Sequence, residues 1–157
     1  MEPHLPLRPS KRIFEIPEQE RLRKIAIEKI KELLFPNKKI LKIILIGSSV
    51  KGTFGKYEEP GFRGSLFSDF DFIVFVKDSY EIPDSLEREP NGKPFEDEGL
   101  NLAYRKRKWI EETYDAEIFF IRESSIRIQN VQLFAEQAGI PLNIQSQNPF
   151  FLIYEAA

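Results

Sequence analysis

Leu45-Ile46-Gly47-Ser48, followed after twenty further residues by Asp69-Phe70-Asp71-Phe72-Ile73-Val74-Phe75, carries the strongest signal in the chain. An apolar strand ends in Gly-Ser, and a second apolar strand opens with two carboxylates one residue apart. Positions i and i+2 of a strand share a face, so Asp69 and Asp71 aim at one spot. The order of elements predicts that this spot lies beside the Gly-Ser turn. Like charges so close repel each other. A divalent cation relieves that repulsion, and Mg2+ takes carboxylate oxygens together with substrate phosphates. The pattern points to metal-assisted chemistry on a nucleotide.

Working outward, Pro17 to Phe35 predicts a helix. Pro17 suits a first helical position, and Glu18 and Glu20 suit the positive end of the helix dipole. Leu22, Ile25, Ala26, Ile30, Leu33 and Leu34 recur at helical spacing, and Pro36-Asn37 ends the run. Lys38 to Ile46 predicts a strand, apolar on both faces in its later part and so central in its sheet. Gly47 to Gly55 predicts a glycine-rich turn opening a short helix, and Lys56 to Ser68 an irregular loop. After the strand from Asp69 to Val76, a polar loop covers Asp78 to Lys93. A helix is predicted over Pro94 to Thr113, then a strand over Asp115 to Ile121. A last helix is expected with Ser124 or Ser125 as its cap. Val131, Phe134, Ala135 and Ala138 form its core face, and Gly139 stops it. Pro149 to Tyr154 reads as a short final strand. Residues 1–16 read as an extended N-terminal arm and 17–157 as a single domain. The predicted class is α/β (α+β), a small mixed sheet with helices packed on it.

The strand after the second predicted helix adds Glu117, with Asp115 on the same face as an alternative third acid. Carboxylates at the start of apolar strands are costly to bury without a partner. Three of them converging are suited to one or two Mg2+ ions, which clamp a triphosphate and stabilise a leaving pyrophosphate. Gly47 lets the backbone approach a phosphate closely. The Ser48 hydroxyl and nearby N–H groups can donate to phosphate oxygens.

These residues resemble a known family. Gly47-Ser48-Ser49-Val50-Lys51-Gly52 followed by Ser68-Asp69-Phe70-Asp71-Phe72-Ile73-Val74 is similar to the pattern of the DNA polymerase beta-like nucleotidyltransferase superfamily, and most of all to its stand-alone minimal members. The resemblance covers about residues 18–121. It implies that Asp69 and Asp71 bind catalytic Mg2+. Glu117 would be the third acid, metal ligand and base toward an acceptor hydroxyl. Gly47, Ser48 and Lys51 would hold the nucleotide phosphates. The implied activity moves a nucleoside monophosphate from an NTP, with ATP the expected nucleotide, to a hydroxyl acceptor and releases pyrophosphate. The acceptor could be a small molecule, a protein or RNA. Minimal members are also often paired with a small helical partner protein in toxin–antitoxin modules. The alternative expectation is therefore a non-catalytic or antitoxin-type member that binds or nucleotidylates such a partner. The stretch Lys56–Leu66, longer than the resemblance calls for, is expected to form a flap over the site or a partner surface.

Composition excludes several other classes. The 157 residues contain no Cys and one His, His4, which removes disulfides, thiolate metal sites and a His-based triad. A net charge of −2 does not mark a nucleic-acid binder. No apolar run is long enough to span a membrane, and the N-terminus lacks a signal-peptide core, so a soluble cytoplasmic protein is expected. A P-loop fails because Thr53, not Lys, follows Gly52, and there is no Gly-x-Ser-x-Gly elbow.

Two further features stay open in the sequence. Arg105-Lys106-Arg107-Lys108-Trp109, placed on the predicted helix, reads as a solvated face, with contact to a triphosphate or nucleic-acid acceptor as the alternative. Most of the 14 Phe residues read as core. Phe54, Tyr57 and Phe62 are the candidates for stacking on a base, and Phe70 is expected to pack beneath a helix.

Overall fold

A computed structural model describes residues 10–58, 66–88, 103–142 and 148–157. The stripe Leu22, Ala26, Ile30 and Leu34, spaced by four, forms the buried side of helix α1 (Ile16–Leu34). Each fully buried aliphatic side chain of this size contributes roughly 1.5–3 kcal/mol to folding. Gln19 is also buried there. Its Nε2 donates to Phe14 O at 2.7 Å and Gly52 O at 3.1 Å, and its Oε1 accepts from Phe54 N at 3.3 Å. One polar side chain thus ties the chain entering α1 to the turn that follows the second strand.

The remaining elements are strands β1 (Lys11–Ile13), β2 (Ile40–Ile46), β3 (Gly55–Tyr57), β4 (Phe70–Val76), β5 (Glu87–Arg88), β6 (Ala103–Ile110), β7 (Tyr114–Arg122) and β8 (Phe151–Glu155), with helices α2 (Ser48–Lys51), α3 (Glu123–Ile126) and α4 (Gln129–Ala138). Six strands form the main sheet in the order β5-β6-β7-β4-β2-β8, and β1 pairs with β3 in a small separate sheet. Among the described residues, only the β4–β7 pairing in the main sheet is parallel. The fold is mixed α/β, as the sequence predicted. No described helix is long and apolar enough to cross a membrane.

Alternation along β4 and β7 sorts the core into two layers. Phe70, Phe72, Val74 and Val76, with Ala116, Ile118 and Phe120, pack on the α1 side. Ile73, Phe75, Phe119 and Ile121 face the other way and pack with Val131 and Ala135 of α4. Asp71 and Glu117 belong by alternation to this second face. They stand in the N-terminal halves of their strands, where the apolar contacts to α4 give way to charge.

Several expectations change. The predicted helix over 94–113 is wrong for its described part: Ala103–Ile110 is a strand, paired with β7 on one side and β5 on the other. Residues 94–102 lie outside the described residues. The predicted arm is a paired strand over Lys11–Ile13, and Phe14 packs against the core; residues 1–9 lie outside the described residues. Ser124 and Ser125 do not cap the last long helix. Both fall within α3, and the N-cap positions of α3 and α4 belong to Arg122 and Ile128. Val131 and Ala135 are buried as expected, and Gly139 ends α4. Most of the expected flap, 59–65, lies outside the described residues.

Candidate metal centre

Strand register assembles the site. Ile46 at the end of β2 stands opposite Asp71, Asp71 opposite Glu117, Glu117 opposite Arg105, and Arg105 opposite Glu87. Directly opposed residues share a face, so a single rung across the sheet carries Asp71, Glu117, Arg105 and Glu87 side by side. Asp69 lies one residue ahead of β4 and joins the group from its end. The approach to Asp69 is fixed by Ser68, whose N–H donates to Gly55 O at 2.9 Å and whose Oγ accepts from Gly55 N at 3.0 Å.

One carboxylate oxygen from each of Asp69, Asp71 and Glu117 lies within 4.8 Å of the others. Glu117 is buried, and the two aspartates are half-buried. The donor set is hard oxygen throughout, which fits Mg2+ or Mn2+ and not a thiolate or imidazole metal. Mg–O bonds of about 2.0–2.1 Å place ligands opposed across one ion about 4.2 Å apart, so the observed spacing closes on an ion with small side-chain shifts.

Gly47 brings the turn into the same place. Its backbone is at φ +83°, ψ −156°, a region essentially closed to other residues. A Cβ on it would stand 2.6 Å from Asp71 Oδ2. The predicted adjacency of the Gly-Ser turn and the aspartate pair is therefore present as contact. α2 starts directly after it, with Val50 and Lys51 N–H groups both donating to Gly47 O at 3.0 Å. Ser48 is half-buried and Lys51 is exposed at the end of α2. Ser49, which the sequence reading passed over, is buried, and its hydroxyl has no hydrogen-bond partner among the described residues.

The choice between Asp115 and Glu117 follows from their neighbours. Asp115 Oδ2 accepts from Arg105 Nη2 at 2.6 Å, and its Oδ1 accepts from Lys108 N at 2.8 Å. A bulge in the β6–β7 pairing between Lys106 and Ile110 brings that amide into place. Asp115 is thus held by β6, and Glu117 is the carboxylate that meets Asp69 and Asp71.

Arg105 overturns the expectation of a solvated basic run. Arg107 and Lys108 are exposed, but Arg105 is only 4% exposed. Its Nη1 lies 3.6 Å from Asp69 Oδ2 while Nη2 holds Asp115. Burial pulls its pKa down, but the hydrogen bond to Asp115 and the charges of Asp69, Asp115 and Glu117 outweigh this and raise it, so the guanidinium stays charged. The signal was available: Arg105-x-Arg107 and Asp115-x-Glu117 are opposite-signed i, i+2 pairs flanking the turn residues Glu111-Glu112-Thr113, as oppositely charged strands of a hairpin would be.

Phe54 is not a base-stacking platform. It is 1% exposed, and its ring centroid lies 4.5 Å from that of Phe70, which itself packs beneath α1 as expected. Tyr57 is half-buried with Lys11 Nζ 5.4 Å over its ring. Phe62 lies outside the described residues. No family model matches the chain, and no curated protein matches it.

Proposed function

We propose that this chain is a Mg2+-dependent nucleotidyltransferase that moves a nucleoside monophosphate from an NTP, ATP being the first to test, to a hydroxyl acceptor. The observation that carries the reading is the meeting of three carboxylates, from β4, the residue just before it and β7, against a glycine turn that admits no side chain. Carboxylates crowded this closely repel one another, a cost that a bound cation relieves. The polymerase beta-like pattern in the sequence supports the same reading.

In this reading Asp69, Asp71 and Glu117 hold the metal. Bound there, Mg2+ supplies charge neutralisation on the phosphates. Gly47 leaves the main chain open to the triphosphate, and the Ser48 hydroxyl and Lys51 ammonium bind its oxygens. The acceptor oxygen forms a bond to the α-phosphorus as the bond to pyrophosphate breaks. Glu117 takes the hydroxyl proton.

The test uses the full chain with α-labelled NTPs, Mg2+ and three acceptor pools: the chain itself, RNA and small hydroxyl compounds. Calorimetry with a non-hydrolysable NTP runs in parallel. Label transfer and NTP binding that both need Mg2+, and both vanish in the Asp69→Asn/Asp71→Asn variant, are expected. Transfer that survives the double substitution overturns the assignment.

A further inference from the structure

We propose that Arg105 is a positioning residue that fixes Asp69 for metal binding, using Asp115 as its anchor; the proposal rests on the metal-dependent reading above. Asp71 and Glu117 are placed by ladder register between β4 and β7. Asp69 lies one residue before the β4 ladder, where the Ser68–Gly55 bonds fix its approach and its carboxylate takes a further restraint. Arg105 supplies it from β6, reaching past β7. The fork of the guanidinium divides its work: Nη2 is committed to Asp115 at 2.6 Å, and Nη1 faces Asp69 Oδ2 at 3.6 Å. The Lys108 amide on the other oxygen of Asp115 makes that anchor rigid. A side chain 5% exposed and held in this way has little freedom to swing toward solvent. This also gives Asp115 a role: it turns the arginine, and through it the aspartate, without touching the metal. Lysine cannot replace this arrangement, because a single ammonium on a flexible stem cannot span two carboxylates as a planar fork does.

The experiment measures Mn2+ binding, by electron paramagnetic resonance and calorimetry, to the full-length chain and its Arg105→Lys, Asp69→Asn and Arg105→Lys/Asp69→Asn variants, with folding checked by circular dichroism. Arg105→Lys keeps the charge and is expected to weaken Mn2+ binding about tenfold, the range typical of residues that orient metal ligands. Asp69→Asn is expected to cost much less in the Arg105→Lys background than in the wild type, because both changes remove the same ligand placement. Wild-type affinity or tighter in Arg105→Lys, or equal costs of Asp69→Asn in both backgrounds, overturns the proposal. If Arg105→Lys does not fold, Asp115→Asn takes its place. It keeps the guanidinium and loosens its anchor, so weakened Mn2+ binding is expected and unchanged binding overturns the proposal. Absence of Mn2+ binding by the wild type overturns the metal-dependent reading itself, an outcome distinct from the others.

Discussion

Gly47 and Asp71 compete for one space: a methyl group on the glycine would stand 2.6 Å from Asp71 Oδ2. The turn and the acid are therefore shaped to each other. Gly47→Ala meets both this clash and a forbidden backbone region, and is expected to cost about 1–3 kcal/mol in stability. It should also abolish Mn2+ binding. Gly52 gives the control. It too has positive φ, +80°, but nothing stands within 4 Å of a Cβ there. Gly52→Ala should cost about 1 kcal/mol and leave Mn2+ affinity unchanged. Urea unfolding and calorimetry on the two variants separate strain from collision.

Glu117→Gln tests the third acid directly. The amide keeps the shape but loses the charge, so the rise in melting temperature on adding Mn2+ should disappear. Thermal scans in EDTA and in Mn2+ measure this. A full metal-induced rise in the variant would remove Glu117 from the ligand set.

Phe54→Ala removes a ring buried between Phe14, Phe70 and Tyr114. Truncations of this kind cost about 3–5 kcal/mol, and chemical denaturation should show a loss of that size. A loss below about 1 kcal/mol would place Phe54 outside the core, since small values mark surface positions.

Arg21 clasps α1 to the β6–β7 turn. Its guanidinium donates to Glu111 at 2.6 and 2.9 Å and to Glu18 at 2.6 and 3.0 Å. The hydrogen bond from Arg21 holds both carboxyls below the ordinary value of 4.5. A carboxyl whose folded pKa is depressed stabilises the fold above its unfolded pKa, and that contribution is lost as pH falls through the folded pKa. The clasp is therefore present at pH 7 and fades below about pH 4.5. Glu111→Gln should melt slightly earlier than the wild type at pH 7, and the gap should narrow as pH falls below about 4.5, in thermal scans across that range. The pair is solvent-exposed, so the difference should be small and should shrink with added salt.

The sequence made α1, β2, β4 and β7 legible because their apolar residues repeat at the period of the element. The same alternation put Asp69 and Asp71 on one side, and the apolar run before Gly47 put the turn within reach. β6 was not legible in this way. Its site-facing position is filled by Arg105, a buried charge, so a search for apolar periodicity finds no strand there. The rivalry between Asp115 and Glu117 could not be resolved along one strand, because both share a face. Cross-strand neighbours decide it: Arg105 and the Lys108 amide take Asp115, and Asp71 stands opposite Glu117. Phe54 sits in a glycine-rich stretch that reads as exposed loop, but Gln19 draws its backbone against α1.

The rung that joins Asp71, Glu117 and Arg105 also guards against misassembly. A one-residue slip of β7 along β4 would turn every side chain of β7 to the opposite face. Glu117 would then enter the layer under α1, among Phe70 and Phe72, and Ala116 or Ile118 would stand where the acids meet. Such a slipped chain would carry an ionised group in its most apolar layer, a penalty of several kcal/mol. The charges that equip the site for chemistry thus also make its wrong assemblies unstable, so correct folding and a complete site are achieved together.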